Sequence, residues 1–284
     1  MTYQDDSSSR PGLTATRRGV LLGSVGAVAL SHMSRMSLAQ ESGASAVLTA
    51  LDMEREAVAA KLGSLTRKHT VGPYEVSEHE HNGRKFFLAT GGIGKVNTAA
   101  LGATLAENFN PDSFFMVGVC GALDMSLKLH STVISSELYQ VDYGRRENGE
   151  LIRFRAGALP FGDENLEGCT IPKPWHDAAA TLVNETDMRS VHLAPVCSGD
   201  HFVADHAYGD LLNRRYGVYT VDMESAALAQ VAATRGLPML TVRTATDNAR
   251  GDAAVSDFEE NLLMASARAA EIFADLAAIL PFGA

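Results

Sequence analysis

The hydrophobic period changes repeatedly along the chain, dividing it into short strands and longer helices. Residues 45–51 are a near-continuous apolar run and predict a buried strand, whereas 54–62 predict a helix with acidic residues in its first turn. Residues 74–80 and 84–90 flank Asn82-Gly83, a strong short-range signal for a hairpin. The turn Gly91-Gly92-Ile93-Gly94 then opens a helical run over 95–108. Strands are predicted at 113–119, 132–138, 191–198, 218–221 and 238–244, and helices at 175–184, 206–214, 223–235 and 255–280. Residues 143–174 read as loop, punctuated by Gly, Pro and Asp. Strand and helix alternating in this way predict an α/β domain in three layers.

The N-terminus follows a different pattern. Residues 1–18 are polar and carry Arg10, Arg17 and Arg18; a Gly- and Ala-interrupted apolar run reaches about residue 30, and Ser37-Leu38-Ala39 closes the segment. This order predicts a signal peptide over 1–39 and a mature domain over 40–284. The apolar run is short of the roughly twenty residues that span a bilayer. Arg17-Arg18 resembles a twin-arginine export signal, with Val20 where an aromatic residue is usual. The expectation is a periplasmic or secreted protein with no stable membrane association once the signal is cleaved; retention as an anchor stays open.

Charge narrows the partners. With 24 Lys and Arg against 34 Asp and Glu, the net charge is −10 over 284 residues. Nucleic acid is therefore not an expected partner, because a polyanion binder needs a basic stripe to release counterions. Cys120, Cys169 and Cys197 are too few and too scattered for a disulfide framework. His79-Glu80-His81 lies at the predicted hairpin tip and reads as solvated turn residues rather than metal ligands.

In an open α/β sheet ligands gather beyond the carboxyl ends of strands. Four segments place unusual residues there: Leu51 to Glu56, Thr90 to Asn97, Cys197 to Val203, and the pair Val221 to Ser225 with Val242 to Asp247. Singly they are bland. A glycine turn is usually a connection, and acids at a helix start usually meet its dipole. Glu224, near the start of an Ala-rich apolar helix, is the exception, since a bare carboxylate there is costly to desolvate.

Together the segments resemble the nucleoside phosphorylase and nucleosidase superfamily, and within it the 5'-methylthioadenosine/S-adenosylhomocysteine nucleosidases. The resemblance rests on GGIGKVNTAALGATL at 91–105, SGDHFV at 198–203, VDMESAALA at 221–229 and TVRTATDNA at 241–249. It implies a three-layer α/β/α sandwich with a central mixed twisted sheet and no metal or organic cofactor. Met53-Glu54-Arg55-Glu56 matches the family's Met-x-x-Glu, so Glu56 is expected to activate the attacking water, with Arg243 helping to hold it. Asp247 is expected to protonate or hydrogen-bond purine N7. Glu224 would hold the ribose hydroxyls, Met223 the sugar face, Phe202 the base by stacking and Val203 the base edge. Gly91, where the family often has serine, is counted with the substrate-binding residues.

The reaction implied is hydrolysis of the N-glycosidic bond of a purine nucleoside, releasing free base. A first-loop carboxylate repels phosphate, and Val119 offers it no hydroxyl; Arg55 nearby leaves a phosphate-dependent phosphorylase as the alternative reading. A non-catalytic nucleoside-binding protein is the second alternative, disfavoured because a binder has no use for a water-activating carboxylate. The 5'-substituent is not resolved by these motifs. The resemblance also implies a homodimer.

Overall fold

The computed structural model describes residues 43–186, 190–249, 251 and 253–282. The expected signal peptide lies outside the described residues. The described chain begins with β1 (Ala44–Thr49), α1 (Asp52–Leu62), β2 (Leu65–Val71), β3 (Tyr74–His81), β4 (Arg84–Thr90) and α2 (Lys95–Phe109). β5 (Ser113–Ala122), β6 (Thr132–Gln140), a small hairpin of β7 (Gly144–Glu147) and β8 (Glu150–Arg153), and β9 (Cys169–Thr170) follow. The chain continues through α3 (Lys173–Glu185), β10 (Val191–Ser198), α4 (His206–Tyr216), β11 (Thr220–Asp222), α5 (Ser225–Ala233), β12 (Met239–Asn248) and α6 (Ala254–Ile279).

The main sheet has the order β11-β10-β6-β12-β5-β1-β4-β3-β2, with β9 added beside β6. It is mixed: β1 runs parallel to β4 and β5, and β12 parallel to β5 but antiparallel to β6. Twist carries one end round until β11 also pairs antiparallel with β5, Val221 opposite Gly121. This closure brings the ends of β10 and β11 to the same mouth as the ends of β1, β5 and β12, which is where the four sequence segments converge.

Alternation along the buried strands makes the layers. On β1, Ala46 and Leu48 face one core with Leu101 and Leu105 of α2 and Leu228 of α5, while Val47 faces the other with Val58 of α1, Ala179 of α3 and Phe273 of α6. Phe115 on β5 stacks on Trp175 of α3, ring centroids 5.3 Å apart. The result is the expected three-layer sandwich. Asn82 and Gly83 both take positive φ, 51° and 75°, as the two-residue turn between β3 and β4 requires.

Three local expectations change. β2 is an unpredicted strand: LTRKHTV shows no apolar face because it is the largely exposed outermost strand of the sheet. The loop over 143–174 carries the β7–β8 hairpin and β9. His79 is not a solvated turn residue; it is buried on β3, its ring nitrogens 3.0 Å from Ser77 Oγ and 3.3 Å from the Gly63 carbonyl.

Candidate active site

A cavity of about 580 Å³, counted with its open mouth, lies at that convergence. Its floor is charged. Arg243, on β12 and 1% exposed, has its Nε 2.8 Å from Asp222 Oδ2 and donates from Nη2 to Glu224 Oε2 at 3.1 Å and from Nη1 to the Val119 carbonyl at 3.1 Å. So large a buried cation is tolerable only because carboxylates surround it, and they push its pKa further up.

Glu224 ends the turn between β11 and α5. Its Oε1 accepts the Gly94 N–H at 3.0 Å, and its Oε2 the Met223 N–H at 3.3 Å. Gly94, with φ 101°, orients that N–H, so the glycine turn serves a carboxylate of its own chain rather than a phosphate. Lys95 anchors the turn from the other side: its Nζ is 2.6 Å from Asp142 Oδ1, and its N–H donates to Asp200 Oδ1 at 2.8 Å. Burial raises the Glu224 pKa, with Asp222 adding to it and Arg243 opposing it.

The first-loop carboxylate in the cavity is Glu54, not Glu56. Glu56 is exposed and does not line the cavity. Glu54 is 1% exposed and accepts three main-chain hydrogen bonds at 2.9 Å, from Ala50 and Leu51 to Oε2 and from Val119 to Oε1. Residues two apart on a helix are separated by about 200° around the axis, so only one of the two glutamates can face inward. Because α1 begins at Asp52, that one is Glu54, whose side chain folds back onto the loop preceding the helix. Burial raises its pKa, against the pull of Arg243 and the three N–H groups. The approach depends on Gly118, where a Cβ would collide with both Glu54 and Arg243.

Asp247 is 1% exposed and lies near Gly121, about 10 Å along β5 from Gly118 at the usual strand rise. Among the described residues, no hydrogen-bond partner meets its Oδ2. Burial, with a smaller contribution from Asp257, pushes its pKa up to about 7. A buried carboxyl with its pKa raised toward neutrality, lining a cavity, is poised for proton transfer.

Phe202, Val203 and Met223 all line the cavity, and the Phe202 ring meets Phe258 of α6 edge-on at 5.7 Å. Gly91 does not. Its N–H closes a bond to the Thr49 carbonyl, and a Cβ there would press on Leu101, so its smallness serves packing. Residues missed from the sequence are Glu54, Ile93, Cys120, His201, Thr246 and Phe258, all lining the cavity, together with the Gly94 N–H.

Fold and site together define a class, and comparison with known proteins gives it a name. The pattern of the Phosphorylase superfamily matches residues 45–278, and the chain belongs to that superfamily. Among curated relatives, the 5'-methylthioadenosine/S-adenosylhomocysteine nucleosidase of Actinobacillus succinogenes is 32% identical over 234 residues, covering 80% of this chain and 94% of the relative. The enzyme of the same name from Halalkalibacterium halodurans is 31% identical, with coverage of 80% and 94%. The crystal structure of the Neisseria meningitidis nucleosidase in complex with methylthio-immucillin-A is 26% identical, superposes with a TM-score of 0.73, and covers 83% of this chain and 99% of its own.

Proposed function

We propose that this protein hydrolyses the N-glycosidic bond of purine nucleosides such as 5'-methylthioadenosine or S-adenosylhomocysteine, releasing adenine and the ribose sugar. The observation that carries the reading is the spacing of two kinds of carboxyl group along one cavity: Asp247, raised and with a free oxygen, and Glu54, held with Arg243 and Glu224. Ribosyl transfer passes through an oxocarbenium-like centre, so the site must lend negative charge to the sugar and a proton to the departing base.

Asp247 supplies that proton at purine N7. Glu54 keeps about one acceptor site, on Oε1, beyond its three main-chain bonds, with which it orients a water and accepts its proton. Glu224 has acceptor capacity left for the ribose hydroxyls, Met223 lies against the sugar, and Phe202 stacks on the base with the Val203 backbone at its edge. Water is favoured over phosphate because an incoming anion would find Glu54 already seated on the Ala50, Leu51 and Val119 N–H groups. The bound methylthio analogue of the Neisseria relative supports the substrate class.

Product analysis tests this. The purified protein is incubated with methylthioadenosine, S-adenosylhomocysteine or inosine, with and without phosphate, and the sugar is identified by mass. Free base (adenine from the two adenosine derivatives, hypoxanthine from any inosine turned over) and free sugar at a rate indifferent to phosphate are expected. A sugar 1-phosphate formed only with phosphate makes the protein a phosphorylase instead.

We also propose that residues 1–39 direct export and that the domain pairs as a homodimer, on the sequence pattern and resemblance given above. Among the described residues no helix is long and apolar enough to cross a membrane. The double change Arg17→Lys, Arg18→Lys is expected to retain the protein in the cytoplasm; cell fractionation checks this, and normal export of the double variant rejects the twin-arginine reading.

A further inference from the structure

One buried charge has no part in the reaction just described. Asp222 closes β11, and its side chain is 1% exposed. Both oxygens are committed to protein donors. Oδ1 accepts the N–H groups of Glu224 at 3.0 Å and Ser225 at 3.1 Å and the Ser198 hydroxyl at 2.5 Å, while Oδ2 takes the Ser225 hydroxyl and forms an ion pair with Arg243, 2.8 Å from its Nε. Four hydrogen bonds and the ion pair saturate the carboxylate and leave nothing for substrate. A carboxylate buried so completely is expensive, and replacing such pairs by apolar groups is often neutral or stabilising.

We propose that Asp222 is a positioning residue that fixes Arg243 and Glu224 as one rigid unit. The inference rests on the nucleosidase reading above. Arg243 has one route to its place: with Nε paired with Asp222 and donating to the Ser225 hydroxyl that Asp222 itself holds, Nη1 is aimed at the Val119 carbonyl beside Glu54 and Nη2 at the ribose-binding carboxylate. The same Asp222 oxygen that takes the Glu224 N–H sets the main chain from which the Glu224 side chain departs. Ser225 ties the unit to the strand behind, since its hydroxyl donates to Asp222, accepts the Arg243 Nε–H at 3.1 Å and lies 2.9 Å from Thr241 Oγ1. The charged groups facing Glu224 are Arg243 from β12, Asp222 from β11 and Glu54 from α1, with the Cys120 thiol on β5 beside Arg243 and Asp222.

The test compares wild type, Asp222→Asn and Ser225→Ala with methylthioadenosine across pH, after thermal melts confirm folding. Wild-type hydrolysis is the control for the functional reading: its absence overturns that reading and this one with it. Given wild-type activity, Asp222→Asn is expected to lose roughly 10–100-fold in kcat. The acid limb of kcat/KM moves to lower pH, because a negative neighbour of Glu224 is gone and Glu224 ionises more readily. A purely structural role lowers the melting temperature and leaves that limb in place. Ser225→Ala keeps the charge but loosens it, and is expected to lose about fivefold in kcat with the limb unmoved. Wild-type kcat and an unmoved limb in Asp222→Asn overturn the proposal; if that variant does not fold, wild-type kcat in Ser225→Ala overturns it.

Discussion

Asp247→Asn is expected to lower kcat by roughly 10²–10⁴-fold, the usual worth of general acid catalysis, while nucleoside affinity stays close to wild type. The asparagine preserves shape and can still hydrogen-bond a purine nitrogen, but it has no proton to give. Because the wild-type acid must be protonated and burial raises its pKa to about 7 in the free protein, wild-type kcat/KM should fall as pH rises through neutrality. That limb should be missing from the variant.

Stability gives an independent reading of the same group. The Asp247 pKa is raised on folding from an ordinary 3.8 to about 7. Its favourable contribution is therefore complete below about 4 and is lost as pH rises through about 7. Asparagine never acquires the charge, so above neutrality the variant should melt at or above the wild-type temperature, and at low pH the two should converge. Full activity in a folded Asp247→Asn protein removes Asp247 from the mechanism.

Two of the four segments lead directly to the expected cavity residues: Phe202 and Val203 from the third, Met223, Glu224, Arg243 and Asp247 from the last pair. These were legible because they lie in or just beyond an apolar strand, Arg243 and Asp247 within β12 and the others after β10 and β11, toward the strand ends where an α/β sheet presents its chemistry. Gly91 misled because a glycine turn serves packing and main-chain donation equally well, and only the fold shows that Gly94 N–H, not Gly91, reaches the site. The partners of Arg243 were invisible for a related reason. Asp222 and Glu54 stand 168 positions apart in sequence and meet through the closure of β11 on β5, which no local pattern encodes. β2 was lost because an exposed outermost strand carries no apolar alternation to detect.

The error over Glu54 and Glu56 has a sharper consequence. Both lie in the motif Met53-Glu54-Arg55-Glu56, and the choice between them depends on where α1 begins. A helix starting at Asp52 places Glu54 in its first turn, where a side chain can return to the main-chain N–H groups ahead of the helix, and carries Glu56 round to solvent. Glu54→Gln should therefore lower kcat by roughly 10²–10⁴-fold, because an amide cannot accept a proton from water. It should also lower the melting temperature. The carboxylate receives N–H donors on both oxygens, and glutamine must turn its own NH₂ toward one set, leaving buried donors face to face at about 1–3 kcal/mol. Glu56→Gln, on the exposed face, should change stability by no more than about 0.5 kcal/mol and leave kcat near wild type. Steady-state kinetics and thermal melts on the two variants decide the matter. Loss of activity in Glu56→Gln with an active Glu54→Gln would mean that α1 presents its other face to the substrate, and the water-activating role would return to Glu56.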